Sequence, residues 1–183
     1  GVSPSETESS RIAFQDAHPG TSFATSDAGL IQRIYGASFS HGQSPQSAAD
    51  DFIERWSEVY GVPSSQLIPH ALEQGRSHVQ PVLYEQDSER YRFMGANYRQ
   101  EIDGIPVFGT RLMVLARNEE HHPVVLASSA LKPLGDWRPE PAVALSSEQA
   151  ISIGTRFLGT PVKLVSGPTW TIYAGGEDAV LAP

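Results

Sequence analysis

The dipeptide Asp103-Gly104 constrains this chain more than any other feature, because it lies between two runs rich in β-branched, aromatic and aliphatic residues. Asp-Gly accepts the positive φ angles that both central positions of a type I′ turn require. The sequence of residues 91–117, YRFMGANYRQEIDGIPVFGTRLMVLAR, therefore predicts a long antiparallel hairpin.

The second arm of this hairpin shows a two-residue alternation. Since strand side chains point to alternate faces, a mostly apolar set at every second position predicts one buried face. The members of this set are Phe108, Thr110, Leu112, Val114 and Ala116. Pro106 has no N–H to donate and predicts a strand start or a sheet edge, whereas Gly109 predicts a bulge or a close backbone approach.

A second pattern runs along the same hairpin. It consists of a tyrosine, a glutamine and a glycine-x-proline-valine-aromatic-glycine series: Tyr98, Gln100, Gly104, Pro106, Val107, Phe108 and Gly109. This pattern resembles the motif in the propeptides of fungalysin- and thermolysin-like zinc metallopeptidases. The chain departs from that motif at Arg99, where the family has a second glutamine, and at Asp103, where it has an asparagine. Spacing alone is that of a purely structural hairpin, so a contact role is what the resemblance implies.

A helix is predicted before the hairpin. Ser44 is a favourable N-cap, Pro45 suits the first helical position and Gly61 suits the C-terminal stop. Apolar residues at three- and four-residue spacing predict a core-facing side, formed by Ala48, Phe52, Trp56, Val59 and Tyr60. Asp50 and Asp51 are neighbours and point about 100° apart on a helix, so they are predicted as solvated charges rather than a catalytic pair.

Short strands are predicted over residues 67–72, 79–85 and 124–131, which makes the hairpin part of a meander with a helix across it. Three prolines and a glycine in residues 132–141 predict a linker. Beyond it, Ser146 and Gln149 form the capping box of a second helix. Its predicted buried face contains Ala150, Ile153, Phe157 and Leu158.

The order of these segments also resembles the metallopeptidase propeptides, in which an FTP module precedes a small PepSY domain. We therefore divide the chain into four parts: a disordered or extended lead (1–20), an FTP-like hairpin module (21–131), a linker (132–141) and a PepSY-like module (142–183). The last strand stops at Pro183, so this module is expected to be truncated at its C-terminus. The predicted fold class is α+β, with two small cystatin-like modules, each an antiparallel sheet with one helix packed on a face.

Composition and motifs exclude several classes of function. A net charge of −8 disfavours nucleic-acid binding, and no run of about 18 apolar residues could span a membrane. The chain has no cysteine, no Gly-x-Ser-x-Gly elbow, no phosphate-binding glycine loop and no His-Glu-x-x-His. His121 and His122 are adjacent and are predicted to lie in a polar turn rather than to bind a metal. We predict no catalytic residue, no metal and no cofactor.

Four arginines lie on or beside the hairpin, at positions 90, 92, 99 and 111. They would form a cationic strip if the strands paired suitably, but exposed strand faces commonly carry isolated charges, which is the simpler interpretation.

The resemblance implies a non-catalytic propeptide that acts as an intramolecular chaperone and inhibitor of a secreted zinc metallopeptidase. Its partner would be the own or cognate catalytic domain, with no nucleic acid and no membrane. The residues that carry the family motif or would contact the partner are Tyr98, Gln100, Gly104, Pro106, Val107, Phe108, Gly109 and Arg111, with the contacts expected from the exposed rim of the hairpin. An alternative is a non-catalytic interaction module of a larger secreted protein without a peptidase, since one fold serves many functions. A stand-alone inhibitor that inserts a loop or an edge strand into a protease cleft also fits the sequence.

Overall fold

The structure, a computed structural model, describes residues 1–139, 145–159, 163–164 and 166–175. The helices within these ranges are α1 (Pro4–Ala17), α2 (Pro45–Trp56) and α3 (Ser147–Leu158), with short 3-10 helices at Ser57–Tyr60 and Ser64–Gln66. The strands are β1 (Ser22–Thr25), β2 (Ile31–Tyr35), β3 (Leu67–Pro69), β4 (Val79–Glu85), β5 (Arg90–Ile102), β6 (Ile105–Pro106), β7 (Leu112–Arg117) and β8 (Val124–Ser129). This combination of helices with an antiparallel sheet confirms the α+β prediction.

Strand β5 is the centre of the sheet. The strand order is β1-β2-β8-β7-β5-β3, and β4 and β6 also pair with β5. With 13 residues, β5 is long enough to pair with β4 along its first half and with β3 along its second half, while β7 lies on its other side. The run β5-β7-β8 is the predicted meander, and every pairing between named strands in it is antiparallel.

The turn between β5 and β6 has the predicted geometry. Asp103 has φ 51° and Gly104 has φ 78°, the positive pair of a type I′ turn, and Ile102 pairs with Ile105 across it. The hairpin prediction is confirmed, and Pro106 ends the two-residue strand β6.

Beyond Pro106 the second arm carries extra residues. Between the pairs Glu101–Pro106 and Tyr98–Leu112, the two residues 99–100 of β5 face the five residues 107–111. The predicted alternation is correct from residue 110 onward, where Thr110, Leu112, Val114 and Ala116 are buried, and it is wrong at Phe108. Val107 is buried and Phe108 is 63% exposed, because the inserted residues interrupt the regular alternation between Pro106 and Thr110.

Helix α2 begins as predicted but ends at Trp56, and a 3-10 helix continues the chain to the predicted stop at Gly61. The Ser44 side chain accepts a hydrogen bond from Ser47 N, and Gly61, with φ 72°, follows the 3-10 helix. The predicted face is buried except for Trp56, which is partly buried. This face joins the main core, whose buried members are Phe14, Ile31, Ile34, Phe39, Ala48, Ala49, Phe52, Ile53, Val59, Tyr60, Val62, Leu67, Ala96, Tyr98, Leu112, Val114, Ala116, Val124, Ala127 and Leu131.

The amino-terminal residues correct the prediction of a disordered or extended lead over residues 1–20, since residues 4–17 form α1. Ser3 and Glu6 form a capping box, which satisfies backbone N–H groups at the start of this polar helix. Phe14 is its only buried residue and anchors it. The Phe14 ring contacts the rings of Phe39, Phe52 and Trp56.

The carboxy-terminal part differs from its prediction in packing. Helix α3 starts with the predicted Ser146 and Gln149 capping box, but none of its residues is buried. The predicted buried face is wrong for the described residues, since Ile153 and Leu158 are exposed and Phe157 is 89% exposed with no described element packed over it. The predicted linker, residues 132–141, starts inside the fold, because Lys132 and Leu134 are buried. The division into two modules stays a prediction, and residues 140–144, 160–162, 165 and 176–183 lie outside the described residues.

Candidate partner-contact surface

The buried Gln100 side chain joins three parts of the fold at the hairpin. Its Nε2 donates to Gln66 Oε1 at 3.0 Å and to the Lys132 carbonyl oxygen at 2.9 Å, and its Oε1 accepts from Lys132 N at 3.0 Å. Gln100 has no exposed area. A primary amide offers two N–H donors and a carbonyl acceptor. In Gln100 both donors and the acceptor are hydrogen-bonded in the interior. It fixes both the 3-10 helix at Gln66 and the chain at Lys132 to β5.

The backbone of Gln100 holds the inserted residues of the second arm. Its N–H donates to Thr110 Oγ1 at 3.2 Å, and its carbonyl accepts from Val107 N at 2.9 Å. Thr110 Oγ1 in turn donates to the Val107 carbonyl at 2.7 Å. Gly109 has φ 73° and nothing packs where its Cβ would lie, so the predicted bulge is present without a close backbone approach. Residues 107–110 therefore form a fixed turn that presents Phe108 outward.

Tyr98 connects the sheet to α2. Its hydroxyl donates to Asp50 Oδ1 at 2.7 Å, and its side chain is buried. Burial raises the pKa of Tyr98, and the Asp50 carboxylate raises it further, so the phenol stays protonated and keeps this bond. Asp50 is exposed, as predicted, but it also accepts this bond, which helical spacing alone does not reveal.

A remote segment adds to the tip of the hairpin. Ile172 N donates to the Pro106 carbonyl at 2.9 Å, and Phe108 N donates to the Ile172 carbonyl at 2.8 Å. These two bonds make a parallel bridge between Val107 and Ile172. Residues 106–108 thus lie between β5 on one side and Ile172 on the other.

Side chains beneath this bridge form a second, smaller cluster, which we call the tip cluster. Its buried members are Ile102, Val107, Leu134, Ile172 and Ala174, and Ile105 packs against them. The tip cluster contains residues from the hairpin, from the chain after β8 and from the carboxy-terminal segment, so it forms only when these three meet.

Two aromatic side chains cover the outside of the tip, and we call them the aromatic rim. Phe108 is 63% exposed and Tyr173 is 68% exposed, and their ring centroids are 6.2 Å apart at an interplanar angle of 44°. A cleft of about 500 Å³ adjoins them and is also lined by Leu30, Ile31 and residues 128–132. Exposed aromatic residues beside a concave surface are typical of protein contact sites.

The eight residues predicted as contacts fall into two groups. Tyr98, Gln100 and Val107 are buried and Pro106 is partly buried, so these four side chains present little surface, and the contact role of the set stays a prediction. Their side chains hold the hairpin in shape. The exposed members are Gly104, Phe108, Gly109 and Arg111. Of these, Phe108 presents the largest apolar surface.

The arginines of the hairpin do not assemble into one strip. Arg99 forms an ion pair with Glu101 at 2.5 Å, Arg92 lies over the Phe93 ring at 5.7 Å, and Arg90 pairs in register with Glu85. On β5, positions 90 and 92 face one side of the sheet and position 99 the other, because side chains alternate along a strand. The simpler interpretation, separate surface charges, is the one the geometry supports.

No metal site or membrane span appears in the part of the chain that the structure describes. Within that part, no three His, Asp or Glu side chains are grouped so that they could hold a metal ion. None of the helices described there is long and apolar enough to cross a membrane. His121 and His122 lie in the predicted turn with positive φ, and His121 Nε2 is 3.3 Å from Glu120 Oε1.

The sequence did not identify Ile172 and Tyr173 as part of this surface. In the short stretch of residues 169–173, Ile172 points inward and its neighbour Tyr173 points outward, but no local signal indicates which strand this stretch joins. Comparisons with protein-family models, with curated proteins and with solved structures find no match to this chain. The geometry of the hairpin tip is therefore the main basis for assigning a function.

Proposed function

We propose that the chain is a propeptide-like domain that helps a secreted zinc metallopeptidase to fold and inhibits it, with the hairpin tip as its contact surface. One observation carries the proposal: the pattern that resembles the propeptide motif divides into a buried frame and an exposed aromatic residue. Tyr98, Gln100 and Val107 form the frame, and Phe108 is the exposed residue.

This division suits a contact surface because it makes the exposed part rigid. Binding costs conformational entropy, and a side chain that the fold already holds in place loses less of it. The turn that presents Phe108 is closed by hydrogen bonds from Val107 and Thr110, and Tyr173 packs beside the ring. A well-held aromatic residue is typical of the few positions that dominate binding energy in an interface.

The same surface would serve both parts of the function. A domain that binds only the native peptidase stabilises it by mass action, and attachment in one chain raises its effective concentration to roughly the millimolar range. A contact that covers the active-site cleft would also block substrate. Function in a precursor of a secreted enzyme would place this chain outside the cell.

The inhibition experiment adds the chain to a purified thermolysin-like zinc metallopeptidase and follows residual activity. We expect inhibition by the wild-type chain and inhibition weaker by about 10-fold or more for Phe108→Ser, since loss of a central aromatic contact commonly costs over 1 kcal/mol. The matched control is Tyr84→Ser, an exposed tyrosine whose ring lies against Tyr91 in the β4-β5 pair. This variant should inhibit like the wild type.

Three results would change the proposal. An equal loss of inhibition in Phe108→Ser and Tyr84→Ser would rule out the hairpin tip as the contact surface. Absence of inhibition by the wild-type chain at high concentration would count against the peptidase partner. Binding that depends on Phe108 but leaves the enzyme active would favour the alternative, an interaction module without a peptidase.

A further inference from the structure

Residues 171–174 bind the hairpin tip in the way that an added strand binds a sheet edge. The bonds from Ile172 N to Pro106 O and from Phe108 N to Ile172 O are the full pair of a parallel bridge. Since Val107 N already donates to β5, this segment takes the backbone groups on the free side of residues 106–108. Strand addition of this kind is a common mode of peptide recognition.

The side chains of this segment alternate as a bound peptide would. Ile172 is 8% exposed and Ala174 is 3% exposed, and both point into the tip cluster. Thr171 and Tyr173 are exposed on the other side. The groove therefore holds an aliphatic residue at one position and a small residue two positions later.

The segment is separable from the main core. Every residue from 166 to 171 is exposed, and α3, which precedes them in the chain, has no buried residue. Among the described residues, neither Ile172 nor Ala174 belongs to the main core, and one bridge with two backbone hydrogen bonds joins the segment to the hairpin. Segments with few buried contacts open locally without unfolding the rest of the protein.

We propose that the groove formed by Ile102, Val107 and Leu134 at the hairpin tip is a binding site for an extended peptide of a partner protein. The peptide runs parallel to residues 106–108 and carries an aliphatic residue followed, two positions later, by a small one. Residues 171–174 are the chain's own occupant of this site and compete with the partner peptide. The occupant segment shares Tyr173 with the aromatic rim, but the test of this groove uses no peptidase, so it can fail or succeed separately from the proposed function.

The test measures binding of a fluorescein-labelled peptide, SGPTWTIYAG, which is the sequence of residues 166–175, to full-length variants. Ile172→Asp places a charge in the apolar groove and should eject the chain's own segment. We expect this variant to bind the peptide about 10-fold or more tightly than the wild type, in which the tethered segment competes at high effective concentration. The same peptide with Asp in place of Ile should not bind.

The matched control is Thr171→Asp, which adds the same charge to the neighbouring outward position and should bind the peptide as weakly as the wild type. Ala174→Glu is a second variant that should release the segment and bind like Ile172→Asp. The proposal is overturned if a folded Ile172→Asp chain does not bind the peptide or if all variants bind it equally. It is also overturned if Ile172→Asp and Ala174→Glu both fail to fold, because the segment would then be an obligatory part of the core.

Discussion

The main core and the tip cluster use two different ways of holding a structure together. The main core gathers 20 buried residues of the described chain from α1, α2, the sheet and the segments between them, whereas the tip cluster has five. Large apolar surface stabilises the first, and stability rises roughly in proportion to the area removed from water. The tip cluster depends on backbone hydrogen bonds and on residues 172 and 174, which come from a segment distant in the sequence. This contrast suggests that the main core carries the stability of the fold and the tip carries its contacts.

Gln100 is the link between these two regions. Its side chain bonds Gln66 and Lys132, and its backbone bonds Val107 and Thr110. A buried polar residue with satisfied bonds fixes geometry, but it adds less free energy than a large apolar residue does. Variants of the main core, of Gln100 and of His18 separate these contributions to stability.

Removal of an aromatic ring from the main core should have the largest effect. Phe52 is fully buried and its ring meets that of Phe14 edge-on, with centroids 6.3 Å apart. We expect Phe52→Ala to lower the free energy of unfolding by about 3–5 kcal/mol through lost burial and a residual cavity. Urea unfolding of the variant measures the loss. Ile12→Ala, at an exposed position of α1, is the control and should change the free energy by about 0.5 kcal/mol or less. A similar small loss for both would contradict a main core that dominates stability.

Removal of the Gln100 side chain should lower the free energy of unfolding by an intermediate amount. Gln100→Ala removes the hydrogen bonds that this side chain makes with Gln66 Oε1 and with the backbone of Lys132. An unsatisfied buried group costs about 1–3 kcal/mol, so we expect a loss in that range by urea unfolding. Gln15→Ala, at an exposed position of α1, is the control. If Gln100→Ala were as stable as the wild type, the network would not hold the hairpin in shape.

Acid should weaken the contact of α1 with the main core. His18 lies among the rings of Phe14, Phe39 and Trp56, and burial lowers its pKa, with the Arg55 charge lowering it further. The unfolded chain then binds a proton near the ordinary pKa of 6.5, while the folded chain binds it only at lower pH. The contribution of His18 is therefore complete above pH 6.5 and is lost as the pH falls through the folded pKa.

The measurement for this prediction is urea unfolding at several pH values between 7 and 4. The wild type should lose more stability over this range than His18→Phe, which keeps a ring but has no titrating group. Identical pH dependence in the two proteins would show that His18 keeps an ordinary pKa in the fold.

Local chemistry explains which parts of this fold could be predicted from the sequence. The Asp103-Gly104 turn and the Ser44-Pro45 helix start depend on conformational preferences of a few adjacent residues, and both are present as predicted. The burial of Leu112 and Val114 follows from alternation in a regular strand. In each case the signal lies within a short stretch of sequence.

The parts that could not be predicted depend on distant residues. Helix α1 is polar and is held by one buried ring, Phe14, so its periodicity is weak although its packing is firm. The outward position of Phe108 depends on how many residues separate Pro106 from Leu112, and that register is set by pairing along β5. The contact of Ile172 with Val107 joins positions far apart in the chain, and no pattern in either segment indicates that the two segments pair.

Hydrogen exchange of the chain, alone and with a thermolysin-like zinc metallopeptidase, tests the contact surface most directly. For the free chain, we expect slow exchange in β5 and β7. The amides of Phe108 and Ile172 should exchange faster, because only the small tip cluster protects them. With the enzyme, added protection should appear over residues 105–111 and not at the Tyr84–Tyr91 end of the sheet. Protection confined to that far end, or no change at the tip in a complex that forms, would contradict the hairpin tip as the contact surface.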